Sequence, residues 1–352
     1  MSKKMRCAIV GCGTIGNTHA THYAASPHGD LVTVCDIIKD KATAFAAKYN
    51  VPTAVKGYKA ILADDTIDTV SVCLPNHLHE SVSIACLNAG KHVLCEKPIA
   101  LNMKQAANMQ AAAKRNKKLL AIGVVNRFHD NINYIKGMIN RGELGEVYHV
   151  FASLRAHRSI PGLGGWFTTK RKSGGGVMID CGVHYIDLIL YCLGFPKAKS
   201  ISGAAYAKLA RNMKDYAFTS MWAGPPNYDG VCDVEESFTA LLRTAGPNIS
   251  MEGAWARNIG VTETYIDFLG TLGGVRLQYG GDFVVYSHKD GVLFETKPSV
   301  PQNNMFQNEI DDFLQCARTG RKSRSDINSV IGTQKILDAF YLSAKKNREV
   351  PV

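Results

Sequence analysis

The stretch Met5-Arg6-Cys7-Ala8-Ile9-Val10-Gly11-Cys12-Gly13-Thr14-Ile15-Gly16 decides the reading of the chain's first third. A strand-like apolar run, Met5–Val10, passes directly into Gly-x-Gly-x-x-Gly and then into a helix-forming segment, Ile15–Ala25. In that context each glycine has a task. The first makes the tight turn, the second lets the backbone approach a pyrophosphate, and the third lets helix and strand pack closely. The N–H groups at the helix start favour an anion at the same point. Twenty residues beyond Gly16, the run Leu31–Cys35 ends at Asp36, where an acid for ribose hydroxyls belongs. A carboxylate there repels a 2′-phosphate, and Ile37-Ile38 supplies no positive group to hold one. NAD is therefore favoured over NADP, with nearby Lys39 keeping NADP open.

Further along, short apolar runs alternate with helical segments. Thr69–Leu74, His92–Leu94 and Leu119–Val125 read as buried strands, and Lys39–Tyr49, His79–Ala89 and Met103–Asn116 as helices. Such alternation predicts an α/β fold with a doubly wound parallel sheet, a Rossmann domain over residues 1–125. After Val125 the pattern changes. Seven strand-like runs follow from Glu146–Leu154 to Phe283–His288, most with no helix between them, and a helical end spans about Asn304–Lys346. That predicts an α+β domain over 126–352 with a mainly antiparallel open sheet, for substrate binding and oligomerisation.

Composition bounds the class. With 352 residues, 46% hydrophobic and 20% charged, two domains are expected and intrinsic disorder is excluded. No run of about 18 apolar residues suggests a membrane span, and the N-terminus lacks a signal-peptide core. The ten cysteines form no Cys-x-x-Cys, and they read as reduced, buried thiols of a cytoplasmic protein. No metal site is expected. The net charge of +11 is scattered in short clusters such as Lys170-Arg171-Lys172, which reads as solvated faces rather than a nucleic-acid surface.

Three further segments carry chemistry: Leu74-Pro75-Asn76-His77-Leu78-His79, Cys95-Glu96-Lys97-Pro98, and Ser173-Gly174-Gly175-Gly176-Val177-Met178-Ile179-Asp180-Cys181-Gly182-Val183-His184. The first two stand at strand ends, where doubly wound sheets bind ligands. Asp180 and His184 are four apart, so one helix face carries both, with Asp187 at the next turn. With these motifs the whole chain resembles the Gfo/Idh/MocA oxidoreductases, the family of glucose–fructose oxidoreductase and inositol dehydrogenase. The resemblance implies that Lys97, Asp180 and His184 form the catalytic group. It also implies that Glu96 helps hold the nicotinamide ribose, that Asn76 and His79 lie along the cofactor, and that a cis peptide precedes Pro98. The expected cofactor site comprises Gly11, Gly13, Thr14, Ile15, Gly16, Asp36, Leu74, Asn76, His79, Glu96, Lys97 and Arg127, although Arg127 reads equally as an interdomain ion pair.

Oxidising a secondary alcohol requires a group to take the hydroxyl proton. His184 is suited to that, since imidazole titrates near neutral pH, with Lys97 as the other choice. Lys97 would stabilise the developing alkoxide, and Asp180 would orient the other two. Arg155, His157 and Trp166 flank the Gly-rich loop and, with Lys97, Asp180 and His184, are the expected substrate contacts; Trp166 reads alternatively as core. The expectation is an NAD-dependent oxidoreductase interconverting a secondary ring hydroxyl and a ketone, at C3 for a glucose-like ring, on a sugar, glycoside or cyclitol. Two alternatives stand beside it: an NAD-retaining glycosidase working through transient C3 oxidation, and a non-catalytic NAD-responsive regulator. A homo-oligomer is expected, without nucleic acid or membrane partners.

Overall fold

Strand β1 (Met5–Val10) is buried from Cys7 onward and sits inside a six-stranded, wholly parallel sheet. Its companions are β2 (Gly29–Asp36), β3 (Thr53–Lys56), β4 (Thr69–Val72), β5 (His92–Glu96) and β6 (Leu120–Gly123), in the order β3-β2-β1-β4-β5-β6. The order reverses between β1 and β4, which opens a crevice at their carboxyl ends. Helices α1 (Thr14–Ala25), α2 (Lys39–Tyr49), α3 (Lys59–Ala63), α4 (His79–Asn88) and α5 (Met103–Asn116) alternate with the strands. Helix α5 follows from its sequence: Asn102 accepts the Gln105 N–H at 3.1 Å, the interior is Ala-rich, and Lys117 ends it in the left-handed region. Strand β3, with alanine and only one large apolar residue, had too little apolar signal to be read from the sequence.

The structure is a computed structural model describing residues 4–352, and it divides into two units. The first runs to His129 and takes back Asn303–Gly332; the second comprises Asp130–Gln302 and Thr333–Val352. The expected division into 1–125 and 126–352 is thus redrawn, because α9 (Met305–Thr319) and the start of α10 (Ile327–Lys346) complete the first unit's core. Ile310, Phe313 and Leu314 pack with Ile9, Tyr23 and Val34, and Ile327 and Val330 join the cluster around Val70 and Val93. A five-residue seam such as Ile310–Leu314 carries no label of the sheet it belongs to, so this return was not legible in the pattern.

The second unit contains α6 (Asp130–Asn140), β7 (Val147–Arg155), the short α7 (Lys170–Ser173), a π-type turn over Met178–Gly182, and α8 (Val183–Cys192). The strands β8 (Ala198–Tyr206), β9 (Ser237–Thr244), β10 (Asn248–Ala254), β11 (Glu263–Gly270), β12 (Gly273–Gln278), β13 (Phe283–Lys289), β14 (Val292–Thr296) and β15 (Val350–Pro351) join β7 in a nine-stranded sheet. All its ladders are antiparallel except β7–β10. One face is buried beneath helices: Val150, Ala152 and Ile266 of the sheet cluster with Ile135 of α6, Ile186 of α8 and Phe340 of α10. The register puts Phe151, Tyr265, Leu269 and Tyr286 on the opposite face, with Arg276 ion-paired to Asp267 at 2.6 Å. The stretch Lys170–Cys192 is long and apolar enough to cross a membrane by composition, but 83% of its apolar window is buried inside the structure as a core helix.

Candidate active site

In the first unit the glycine turn behaves as its spacing predicts. Gly11 has φ +106°, and a Cβ there would overlap the Cys73 carbonyl. A Cβ on Gly16 would overlap the Gly11 carbonyl, whereas one on Gly13 would meet nothing within 4 Å. Helix α1 begins at Thr14 without a side-chain cap and with no acid in its first turn. Uncapped N–H groups beside open space fit the pyrophosphate of a dinucleotide. Thr14 and Ile15 belong to that helix start. Asp36 ends β2 with one oxygen accepting the Cys12 N–H at 3.1 Å and the other the Ile38 N–H at 3.0 Å. Lys41 stands 3.5 Å from the same carboxylate, and Lys39 Nζ donates to the Ala54 carbonyl at 2.5 Å. Ile37 and Ile38 are exposed beside it.

Beyond β4 lie half-buried Leu74 and buried Asn76. The His79 ring is fully buried between two carbonyls, 2.8 Å from Leu74 O and 2.8 Å from Pro98 O. It therefore ties the turn after β4 to the turn after β5. Burial pushes this imidazole below its ordinary range, against both carbonyl hydrogen bonds. The peptide Lys97–Pro98 is cis. Glu96 is buried at the end of β5, accepting from His19 Nε2 at 2.9 Å and from the Lys97 N–H at 3.2 Å. Burial alone would raise its carboxyl, but His19 and Lys97 hold it below the usual range. His19 Nδ1 is 3.1 Å from Ser71 Oγ, which lies 2.8 Å from the Tyr23 hydroxyl, so a buried polar string runs behind Glu96. The sequence reading missed His19, which stands three residues past Gly16 and faces inward from α1.

Arg127 is completely buried in the first unit. Its guanidinium donates to Arg324 O at 2.9 Å, Ser329 Oγ at 2.7 Å and Ser329 O at 3.0 Å, binding the end of the parallel-sheet segment to the returning chain. These three bonds lie within the first unit and end on neutral oxygens.

In the second unit the Gly-rich loop leads into the π-type turn bearing Asp180, and α8 bearing half-buried His184 follows. A π-type turn widens the helix at one point and is common at functional sites. Trp255, buried just past β10, donates its indole N–H to Asp180 Oδ2 at 3.2 Å. Asp187 is buried and accepts from the Thr333 hydroxyl at 3.2 Å. Arg155 is engaged by Glu252 at 2.7 Å and by Glu263, on the sheet face away from the helices. The His157 carbonyl accepts from the Thr219 hydroxyl at 2.5 Å. Trp166 stacks at a tilt on Phe167, 3.7 Å between centroids, and Trp222 meets Phe167 edge-on at 5.0 Å. Trp222 is 58% exposed. Trp255 and Trp222 were missed as individual residues because their partners lie about 55–75 positions away.

A reversed parallel sheet with a phosphate-ready glycine turn in one unit, and an Asp-x-x-x-His helix in an α+β unit, define a two-domain nucleotide-dependent oxidoreductase. Residues 5–124 match the oxidoreductase family with an NAD-binding Rossmann fold, and residues 132–276 match the GFO/IDH/MocA C-terminal domain. The chain belongs to the GFO/IDH/MocA oxidoreductase family, as its motifs suggested. It is 30% identical to the D-glucoside 3-dehydrogenase of Escherichia coli K12, over 99% of this chain and 98% of that protein. It is 24% identical to the Bacillus subtilis scyllo-inositol 2-dehydrogenase (NAD(+)), over 95% and 92% of the two chains. A levoglucosan dehydrogenase solved with NADH and levoglucosan shares the fold at TM-score 0.87 and 20% identity, over 99% of this chain and 100% of that one.

Proposed function

We propose that this enzyme oxidises a secondary ring hydroxyl of a sugar, glycoside or cyclitol to a ketone with NAD, at C3 of a glucose-like ring. The observation that carries this reading is a full-length likeness to a D-glucoside 3-dehydrogenase in a chain that also has Glu96-Lys97-Pro98 after β5 and Asp180-x-x-x-His184 on one helix. When bound, NAD supplies the hydride acceptor. The glycine turn with Thr14 and Ile15 holds its pyrophosphate, Asp36 its adenosine ribose, and Glu96 with Lys97 the nicotinamide end. Leu74 and Asn76 line the cofactor path, and the carboxylate at Asp36 favours NAD over NADP. Arg127 and His79 shape this site from behind through the bonds described above.

In the reaction His184 takes the hydroxyl proton, Lys97 stabilises the alkoxide as it forms, and Asp180, steadied by the Trp255 indole, orients them. Trp166, Phe167 and Trp222 offer aromatic faces to a sugar ring, with His157 on the neighbouring loop. A second copy of the chain covers the helix-free face of the nine-stranded sheet, and ten cysteines outside any disulfide, eight of them buried, suit the cytoplasm.

The test is mass spectrometry of products after incubation with NAD and a panel of free sugars, inositols and glycosides, repeated with Lys97→Ala and His184→Ala. Wild type should yield a product two mass units lighter. Each variant should lose at least ~100-fold in turnover, with NAD binding kept in His184→Ala and weakened in Lys97→Ala. Near-wild-type turnover in both variants would overturn the assignment. Glycosidic cleavage without net NADH would point instead to the NAD-retaining glycosidase.

A further inference from the structure

Two residues far apart in sequence meet the Gly174-Gly175-Gly176 loop. Glu235, which immediately precedes Glu236 and β9, is buried. Its Oε2 accepts the Gly176 N–H at 2.9 Å, its Oε1 the Met178 N–H at 3.1 Å, and its main-chain carbonyl the Val177 N–H at 3.2 Å. Three successive N–H groups at a helix start, ordinarily left over by the helix itself, thus all go to one residue. The Tyr341 hydroxyl of α10 donates to Glu235 Oε1 at 2.8 Å. The same two residues explain two of the glycines. A Cβ on Gly175 would overlap the Tyr341 hydroxyl, and one on Gly176 would overlap the Glu235 carbonyl.

We propose that Glu235 and Tyr341 are positioning residues for the reaction: they clamp the Gly-rich loop and so set where Asp180 and His184 stand. The chain of bonds is short. Gly176 is held by Glu235, the Asp180 N–H bonds to Gly176 O at 3.0 Å, and His184 follows one turn later. With three donors on its two oxygens Glu235 works as an acceptor and Tyr341 as a neutral donor, although burial pushes the Glu235 carboxyl above its ordinary range against these bonds. Burial pushes the Tyr341 hydroxyl well above its ordinary range, which keeps it a donor. The glycines of the motif are therefore required by the protein's own clamp as well as by any ligand. The proposal rests on the catalytic reading of Asp180 and His184 given above.

Tyr341→Phe, Glu235→Gln and Glu235→Ala test it, with Asp180→Asn and His184→Ala in parallel. The first readout needs no substrate: amide hydrogen exchange of peptides spanning 174–184. Exchange there should accelerate about tenfold or more in Tyr341→Phe and further in Glu235→Ala, with peptides of β1, β4 and β5 unchanged. The second readout is turnover of methyl glucoside with NAD. We expect kcat to fall roughly 10-fold in Tyr341→Phe and ~100-fold in Glu235→Ala, with KM and NAD affinity nearly constant. Glu235→Gln, keeping one acceptor oxygen, should fall between wild type and Glu235→Ala.

Unchanged exchange over 174–184 in Tyr341→Phe and Glu235→Gln overturns the clamp outright. If exchange rises while kcat holds, or falls only with NAD affinity, the residues are structural and the positioning role is overturned. If Asp180→Asn and His184→Ala turn over normally, the catalytic reading fails and takes this role with it. If those two are inactive while Tyr341→Phe and Glu235→Gln are normal, only the present inference fails.

Discussion

Glu309 on α9 is a carboxyl buried with neither oxygen hydrogen-bonded, in the electrostatic range of Glu96. Burial first, then repulsion from Glu96 and Asp312, pushes its pKa well above the ordinary carboxylate range. In the folded protein it holds a proton that the unfolded chain releases above about pH 4.3. Over that window the native state binds the extra proton, so stability falls as pH rises, by up to about 1.4 kcal/mol per pH unit. Glu309→Gln should remove this slope: its Tm relative to wild type should climb steadily between pH 5 and pH 8. A parallel pair of Tm–pH curves would sink the argument. Glu96 has the opposite shift because His19 is bonded to it. At this scale Lys97, Asp180 and His184 could be singled out as candidates because residue type and spacing coincide in a few positions. His19, Glu235, Tyr341 and Glu309 were not, since each acquires its meaning from a partner brought near only by folding.

Among the elements, those with local instructions were read most accurately. Helix α2 spans the predicted Lys39–Tyr49, and its end is set by Asn50 in the left-handed region. The helical end predicted for about Asn304–Lys346 is two helices, because Gly320 at φ +74° closes α9 before α10 begins at Ile327. Asn304 starts α9 by accepting the Phe306 and Gln307 N–H groups at 3.0 and 3.1 Å. Asn304→Ala should cost about 1 kcal/mol, read from urea unfolding, with little effect on turnover. A change below about 0.3 kcal/mol would show that packing of Ile310 and Phe313 alone holds the helix. Strand β14, exposed along its whole length, escaped the sequence reading because neither of its faces is buried and no apolar alternation marks it.

For the whole molecule, the antiparallel sheet presents one face to helices and the other without them. On that second face Phe151 and Tyr265 pack ring to ring at 6.0 Å, and Tyr286 is 44% exposed. If a second copy covers it, Tyr286→Asp should lower the mass seen by light scattering while leaving the circular dichroism unchanged. An unaltered mass would place the subunit contact elsewhere. The sequence predicted two domains and their classes because parallel and antiparallel sheets write different hydrophobic patterns. It missed which unit receives Asn303–Gly332, since α9 is amphipathic and would fit either.

That returning segment orders events during synthesis. The chain's opening residues supply all six parallel strands early, yet the sockets around Ile9, Tyr23 and Val34 stay unfilled until Ile310, Phe313 and Leu314 arrive. On a ribosome the nucleotide-holding half, first to emerge, is thus the half that must wait for almost the entire message to be read.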